Sequence, residues 1–282
     1  MLNQKSVNVK DICERIESIA KSFHDKPHEL LYERVMLELL DLKVAGIFNQ
    51  LKGITLHRVR LNEETNASFD KVQDIFYAPS KCVNNYGRVN RPGQSMFYCS
   101  EFHGICDLEL LHDYLLKNDI GHERLATYSE WEIRKDLNLL VLAIAPSNRE
   151  LINGFMIRNA CCELVKSEPA DAKDAYSNQY NLTSNFFLKN AKSDNSVYII
   201  CSAIANLFTL YYPNIDGFIY PTVQGNTGYN FVLRPHVLDN KMILPKKELS
   251  MKKWLVSNKN LMTIDPSFHK KGHIDGENII WT

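Results

Sequence analysis

The feature that most constrains the fold is an uncharged stretch over residues 196–215. A helix of this length could cross a bilayer, since a membrane span needs about 20 apolar residues. Asn206, Thr209 and Pro213 make the stretch less uniformly apolar than a membrane helix, so a buried core helix is the better interpretation. Such a helix must be covered by a large domain, and 282 residues supply enough apolar material for one.

Charge and cysteine usage exclude several classes of protein. The chain has 33 basic and 33 acidic side chains, whereas proteins that bind nucleic acid or anionic lipid usually carry a basic excess. We therefore expect neither as a partner. Seven irregularly spaced cysteines indicate reduced thiols, and the residues after Lys5 contain no apolar stretch typical of a secretory signal. We expect a cytoplasmic protein.

Hydrophobic periodicity predicts an α+β fold with short strands around one core. Two helices are predicted within 9–51, where Pro27 interrupts the pattern and the second helix spans 28–51. Further helices are predicted at 104–117, 148–166 and 196–211. Strands are predicted at 54–60, 95–100, 138–145, 217–221 and 229–234, and 167–181 is predicted as a polar linker. We divide the chain into a helical N-terminal extension (1–52), a main domain (53–245) and a small C-terminal β appendage (246–282).

Common catalytic and metal-binding motifs are absent from the sequence. Neither glycine-rich nucleotide motif occurs, and there is no Gly-x-Ser-x-Gly and no Cys-x-x-Cys. His103, Cys106 and His112 lie on one predicted helix, but Cys106 is interpreted as a packing residue. We therefore expect no metal site.

Three segments carry features that composition does not explain. The first is Leu-His-Arg-Val-Arg (56–60), and the second is Tyr-Gly-Arg-Val-Asn-Arg-Pro-Gly (86–93), which continues into Met-Phe-Tyr-Cys-Ser (96–100) and a helix with Glu109. The third is Asp-Gly-Phe-Ile-Tyr-Pro-Thr (216–222), followed by Asn-Phe-Val-Leu-Arg-Pro (230–235). An arginine at a strand end beside a glycine-rich loop suits phosphate binding, because the guanidinium fork offers paired donors. Taken singly, each of these residues has an ordinary structural explanation.

In this order the segments resemble the RES domain family, named for its arginine, glutamate and serine, over residues 54–245. The resemblance implies an ADP-ribosyltransferase-like fold that binds NAD⁺ as a substrate and cleaves its nicotinamide–ribose bond, as in toxins of bacterial toxin–antitoxin pairs. Arg58 matches the first-strand arginine, and Glu109 matches the glutamate. Arg88 matches the arginine of the Gly-Arg motif, and Tyr98 the tyrosine before the helix. The family serine falls on Thr222, which keeps the hydroxyl but adds a methyl group.

The roles that the resemblance implies are distinct for each residue. Glu109 would stabilise positive charge on the ribose, while Arg58 and Arg88 would hold the pyrophosphate. Tyr98 would pack on the nicotinamide or its ribose. Thr222 and Asn230 would bond polar groups of the same two moieties.

Several alternatives stay open at this stage. The acceptor could be water, inorganic phosphate or a protein side chain, which define a glycohydrolase, a phosphorylase and an ADP-ribosyltransferase. The chain could instead be a non-catalytic nucleotide-binding module. The N-terminal helices are best explained as a cap on the domain, with a docking surface for an antitoxin protein or a second copy of the chain as the alternative.

Overall fold

The computed structural model describes residues 8–23, 25–40, 42, 45–46, 48–62, 67–144, 170–191, 195–223, 228–258 and 261–282. Its helices are α1 (Val9–Ser22), α2 (His28–Leu39), α3 (His103–Lys117), α4 (Ala170–Phe187), α5 (Ser196–Tyr211) and α6 (Pro235–Asp239). Its strands are β1 (Phe48–Leu51), β2 (Thr55–Leu61), β3 (Phe97–Ser100), β4 (Glu123–Ile133), β5 (Leu137–Val141), β6 (Gly217–Pro221), β7 (Tyr229–Leu233), β8 (Ile243–Asn258), β9 (Leu261–Asp275) and β10 (Asn278–Trp281). Short 3₁₀ helices lie at Val72–Ile75 and Ser80–Cys82.

The described strands form one mixed sheet in the order β1-β5-β6-β7-β3-β2-β4-β8-β9-β10. Strands β5 and β6 are parallel, and the other neighbours are antiparallel. In the middle of the sheet, β2 and β3 share a single residue pair, His57 with Ser100. The sheet therefore consists of two halves joined at one point, and the strands diverge beyond it.

Side chains on the two faces of the sheet build separate cores, because successive residues of a strand point to opposite faces. On one face, Phe218 and Val232 pack with Ile12, Val35 and residues of α4 and α5. A separate, smaller cluster lies under α3, where Val59 and Tyr128 pack with Cys106 and Tyr114. The opposite face buries Phe97, Trp131, Ile219, Phe231 and Val237.

The uncharged stretch forms the buried helix that the sequence predicts. α5 spans Ser196–Tyr211, and its residues from Ile199 to Ala205 are all buried. Among the described residues, no helix has the length and apolar character needed to cross a membrane.

Three predictions of secondary structure are wrong within the described residues. The second helix ends at Leu39 rather than at 51, and Phe48–Leu51 is a strand paired with β5. The segment 167–181 is not a linker, because α4 begins at Ala170, and the 148–166 helix lies outside the described residues. β4 was missed, although it pairs with both β2 and β8.

The C-terminal strands continue the main sheet. β8 has 16 residues and pairs with β4 from Ile243 to Leu255, so the predicted boundary at 245 falls inside it. With β4 at 11 residues and β9 at 15, this half of the sheet is built of long strands and not of the short ones expected. The α+β class holds, and the division into three domains stays a prediction.

A glycine at the start of β6 allows close packing against β7. A Cβ at Gly217 would lie 2.3 Å from the carbonyl oxygen of Val232, so the β6–β7 pairing would have to shift. We expect Gly217→Ala to lower the free energy of unfolding by about 1–3 kcal/mol. The matched control is Gly104→Ala in α3, where a Cβ would meet no atom within 4 Å. We expect this change to raise the free energy of unfolding by about 0.5–1 kcal/mol. Denaturant unfolding checks both; equal destabilisation by the two changes would contradict the packing argument.

Candidate functional site

A cleft of about 520 Å³ opens where β2 and β3 diverge. Residues 58–61 of β2 line one side, and another side is lined by Met96 and by three residues of β3, Tyr98, Cys99 and Ser100. Its volume is within the range of small-molecule sites, about 300–1,000 Å³. Residues predicted to form the site line this one cleft, namely Arg58, Arg88, Tyr98, Glu109 and Asn230.

The carboxylate of Glu109 is held by two donors from the neighbouring strands. Thr222 Oγ1 donates to Glu109 Oε1 at 2.6 Å, and Asn230 Nδ2 donates to the same oxygen at 2.9 Å. Ser100 Oγ in turn donates to Asn230 Oδ1 at 2.6 Å, which fixes the orientation of the amide. Oε2 of Glu109 accepts no hydrogen bond from a described residue. One carboxylate oxygen is thus anchored, and the other is left for a ligand.

Local backbone geometry explains how β6 and β7 reach the helix that carries Glu109. The N–H of Thr222 donates to the carbonyl of Gly228 at 3.0 Å, just beyond the paired strands. Gly228 has a φ of +101°, and a Cβ there would lie 2.3 Å from Ile105 Cδ1 on α3. A glycine at this position therefore permits both the backbone conformation and the close approach of the strands to α3.

Two arginines of β2 place positive charge on the other side of the cleft. Arg58 donates to the carbonyl of Tyr98 and, through Nη2, to that of Phe76 at 3.2 Å, while Arg60 Nη1 donates to Phe76 at 2.9 Å. Burial, together with the charge of Arg60, lowers the pKa of Arg58 to about 10, so it is still charged at pH 7. Arg58 Nε is buried without a hydrogen-bond partner among the described residues. The unpartnered Nε–H of Arg58 is a donor that an anion in the cleft could satisfy.

Tyr98 is fixed by the loop that carries the Gly-Arg-x-Asn motif. Its hydroxyl donates to Asn90 Oδ1 at 2.6 Å, and the N–H of Val89 approaches the same hydroxyl at 3.4 Å. Burial raises the pKa of Tyr98, so the hydroxyl stays protonated. A Cβ at Gly87 would lie 2.3 Å from Asn90 Oδ1 and 2.6 Å from the Tyr98 hydroxyl. The glycine of the motif is therefore required for the packing of this loop on Tyr98.

Arg88 is placed differently from the free guanidinium fork that the motif suggested. It is only 4% exposed, and its Nη2 donates to the carbonyl of Lys189 at 2.8 Å. Nη1 lies 3.5 Å from the carbonyl of Phe187, the last residue of α4. Arg88 thus ties the motif loop to the end of α4 while still lining the cleft.

Ser100 and Asn90 had no predicted role, although both lie in the three segments that carry the predicted site. Each positions another residue of the site: Ser100 orients Asn230, and Asn90 accepts from Tyr98. The available signal was the presence of small hydrogen-bonding side chains beside predicted site residues. Of the rejected zinc ligands, Cys106 donates to the carbonyl of His57 at 3.1 Å, and the side chain of His112 lies outside the described residues.

Comparisons with known proteins give little further information. No protein-family model matches the chain, and no curated protein matches it in sequence. Among solved structures, the chain is similar to one from the crystal structure of the M. tuberculosis MbcT–MbcA toxin–antitoxin complex, at 11% identity and a TM-score of 0.33. The match covers 84% of this chain and 89% of that one. A likeness this weak carries no argument about the function of the chain.

The hydrogen bond between Thr222 and Glu109 should contribute measurably to the free energy of unfolding. A hydrogen bond to a charged group contributes about 1.5–3 kcal/mol. We expect Thr222→Val to lower the free energy of unfolding by an amount of this order, because the variant leaves a partly buried carboxylate without one donor. Thr222→Ser keeps the hydroxyl and is the matched control. Equal stability of the valine and serine variants in denaturant titrations would show that the bond does not form.

Proposed function

We propose that the chain is an NAD⁺-cleaving enzyme that breaks the bond between the nicotinamide nitrogen and C1 of its ribose. The observation that carries the proposal is the anchored Glu109 carboxylate in the same cleft as the half-buried guanidinium groups of Arg58 and Arg60. These are the two chemical features that the substrate requires, since NAD⁺ has a scissile bond that develops positive charge and a pyrophosphate that is negatively charged. The resemblance of the sequence to the RES domain family supports the same reaction and an ADP-ribosyltransferase-like fold.

The carboxylate would act on the charge that develops at the ribose. When the bond breaks, its electron pair leaves with the nicotinamide, which becomes neutral, and C1 acquires oxocarbenium character. A fixed negative charge near C1 stabilises that state more than the bound substrate. Thr222 and Asn230 hold Glu109 in one orientation, so little reorganisation is needed during the reaction. In this proposal they position the carboxylate, whereas the sequence suggested direct contacts to the substrate.

The remaining residues would bind and orient the substrate. Arg58 and Arg60 would hold the pyrophosphate, and Arg88 would add positive charge from the wall of the cleft. Tyr98 would pack against the nicotinamide or its ribose. No metal is required for these steps.

The group that accepts the ADP-ribose distinguishes the proposed hydrolase or phosphorylase from a protein ADP-ribosyltransferase. Water would give ADP-ribose and a proton, and inorganic phosphate would give ADP-ribose carrying a new C1 phosphate ester. Purified protein is incubated with NAD⁺ in phosphate-free buffer, then with phosphate, then with cell lysate, and the products are measured by mass spectrometry. We expect free ADP-ribose or its phosphate. Products found only on lysate proteins would favour the ADP-ribosyltransferase alternative, and unchanged NAD⁺ in all three would favour a binding module.

An enzyme of this kind would deplete the NAD⁺ of the cell that makes it. We therefore propose a role as a toxin that a partner protein, an antitoxin, keeps inactive. Induced expression should arrest growth together with a fall in cellular NAD⁺, and expression of a Glu109→Gln variant should do neither. Growth arrest without loss of NAD⁺ would contradict this role.

The first kinetic prediction concerns Glu109. We expect Glu109→Gln to lower the rate of NAD⁺ consumption by a factor on the order of 10²–10³, because the amide cannot balance positive charge at C1. Asp107→Asn, on the same helix but outside the cleft lining, is the matched control and should keep the parental rate. Loss of NAD⁺ is followed by chromatography. A glutamine variant as active as the parent would remove Glu109 from the reaction.

A second prediction concerns the binding of NAD⁺ by Arg58. Lysine keeps the charge but not the planar fork, so we expect Arg58→Lys to raise the dissociation constant for NAD⁺ by about tenfold or more. Arg91→Ala is the control, because Arg91 lines a different cavity beside α2. Calorimetric titration measures both variants after thermal unfolding has shown that they fold. An unchanged dissociation constant for Arg58→Lys would exclude a bidentate contact with the pyrophosphate.

A further inference from the structure

Outside the residues assigned to the reaction, two histidines and a glutamate meet beside β2. His57 in β2, His103 at the start of α3 and Glu130 in β4 each offer one ligand atom, and these atoms lie within 4.8 Å of one another. The imidazole rings of His57 and His103 are 4.5 Å apart between centroids and nearly perpendicular. The three side chains come from three different elements, so the cluster is a product of the tertiary fold.

The register of the sheet places the carboxylate beside the histidine. His57 and Glu130 are directly opposite each other in the β2–β4 ladder, and side chains of such a pair lie on the same face. The pairing of β4 with β8 shifts between Ser129 and Trp131, so Glu130 lies in a bulge. Bulges commonly redirect a side chain next to a functional site.

The hydrogen bonding of His103 and His57 leaves each imidazole a nitrogen that can bind a metal ion. His103 Nε2 lies 3.2 Å from the carbonyl oxygen of Ser129; since a carbonyl only accepts, this nitrogen carries the proton and Nδ1 keeps its lone pair. A hydrogen bond from one ring nitrogen to a backbone carbonyl is the usual arrangement for a ligating histidine. His57 Nδ1 is buried without a hydrogen-bond partner among the described residues.

Glu130 has a carboxylate oxygen to offer. Lys246 Nζ donates to Glu130 Oε2 at 2.8 Å. Within the described part of the chain, Oε1 accepts no hydrogen bond. The lysine therefore orients the carboxylate while leaving one oxygen for a further contact.

We propose that His57, His103 and Glu130 bind a divalent transition-metal ion, and that Zn²⁺ is the preferred ion. Two neutral imidazoles with one carboxylate form a ligand set that suits zinc, whereas Mg²⁺ and Ca²⁺ prefer oxygen ligands alone. Bonds of about 2.0–2.2 Å to zinc place tetrahedral ligand atoms roughly 3.4 Å apart. Small side-chain rotations would close the present spacing to this value, and solvent would supply the fourth ligand.

A metal at this position would connect the two elements that carry the cleft residues. His57 directly precedes Arg58 in β2, and His103 begins the helix that bears Glu109. The ion would thus hold β2, α3 and β4 together beside the cleft without contacting the substrate. The proposal does not depend on the NAD⁺ reaction.

Metal binding is tested on the full-length protein after treatment with EDTA and buffer exchange. Titration with ZnCl₂ in a calorimeter should show one equivalent bound, and thermal unfolding should shift to higher temperature with Zn²⁺. His57→Ala and His103→Ala should each weaken binding at least tenfold, since loss of even an indirect metal contact costs 10–100-fold. His269→Ala, an exposed histidine in β9, is the matched control and should bind as the parent does.

Cobalt substitution separates this site from adventitious binding to the free cysteines, of which Cys82 is exposed. The proposed site should give the visible spectrum of Co²⁺ with nitrogen and oxygen ligands and no intense thiolate charge-transfer band. Unfolding of both histidine variants in EDTA should match the parent within a few degrees, which shows that they fold. Failure of the parent to take up Zn²⁺ at micromolar concentrations, binding that survives in both histidine variants, or a thiolate spectrum would each overturn the proposal.

Discussion

The structure depends on a single residue pair, His57 with Ser100, that joins two halves of a sheet. Elsewhere each described strand pairs with its neighbours over at least three residues, so the ladder is weakest where the cleft lies. Backbone groups that leave a ladder must find other partners. At this gap the guanidinium of Arg58 in β2 donates a hydrogen bond to the carbonyl of Tyr98 in β3. The cation that we assign to the pyrophosphate is thus also part of what keeps the two halves together.

The two sides of the cleft are built by different physical means. Around Glu109 the contacts are between side chains, and three hydrogen bonds through Ser100, Asn230 and Thr222 define one geometry. Around Arg58 and Arg60 the hydrogen bonds go to the backbone carbonyls of Tyr98 and Phe76, which fix the positions of the guanidinium groups. The carboxylate and the guanidinium groups are thus oriented on different sides of one cleft. The substrate that we propose has positive charge at one end and negative charge at the other, which would match this arrangement.

Glu109, Thr222 and Asn230 were predicted to lie in one site because the order of the motifs resembles that of the RES domain family; taken singly, none of the three residues indicated a site. The sequence also predicted α5, because an uncharged run of this length is either a membrane helix or a buried core helix, and its polar residues favour the second. It failed for α4, because the first half of this helix is largely polar and its described residues up to 178 include none that is buried. The apolar residues that mark it as a helix, such as Leu182 and Phe186, come late. The carbonyl groups that accept hydrogen bonds from Arg88 could not be predicted, because every residue has a backbone carbonyl. The proximity of His57 to Glu130 depends on strand register and a bulge, which composition does not encode.

The last strand has a consequence for the timing of assembly. Trp281 Nε1 donates to the carbonyl of Phe69, and the N–H of Ile279 donates to that of Asp70. The segment held in this way leads to Phe76, whose carbonyl accepts from both arginines of β2. During synthesis, β2 leaves the ribosome more than two hundred residues before its support is complete. A growing chain therefore lacks this support for the arginines of β2 until β10 has been translated and has folded back onto the segment.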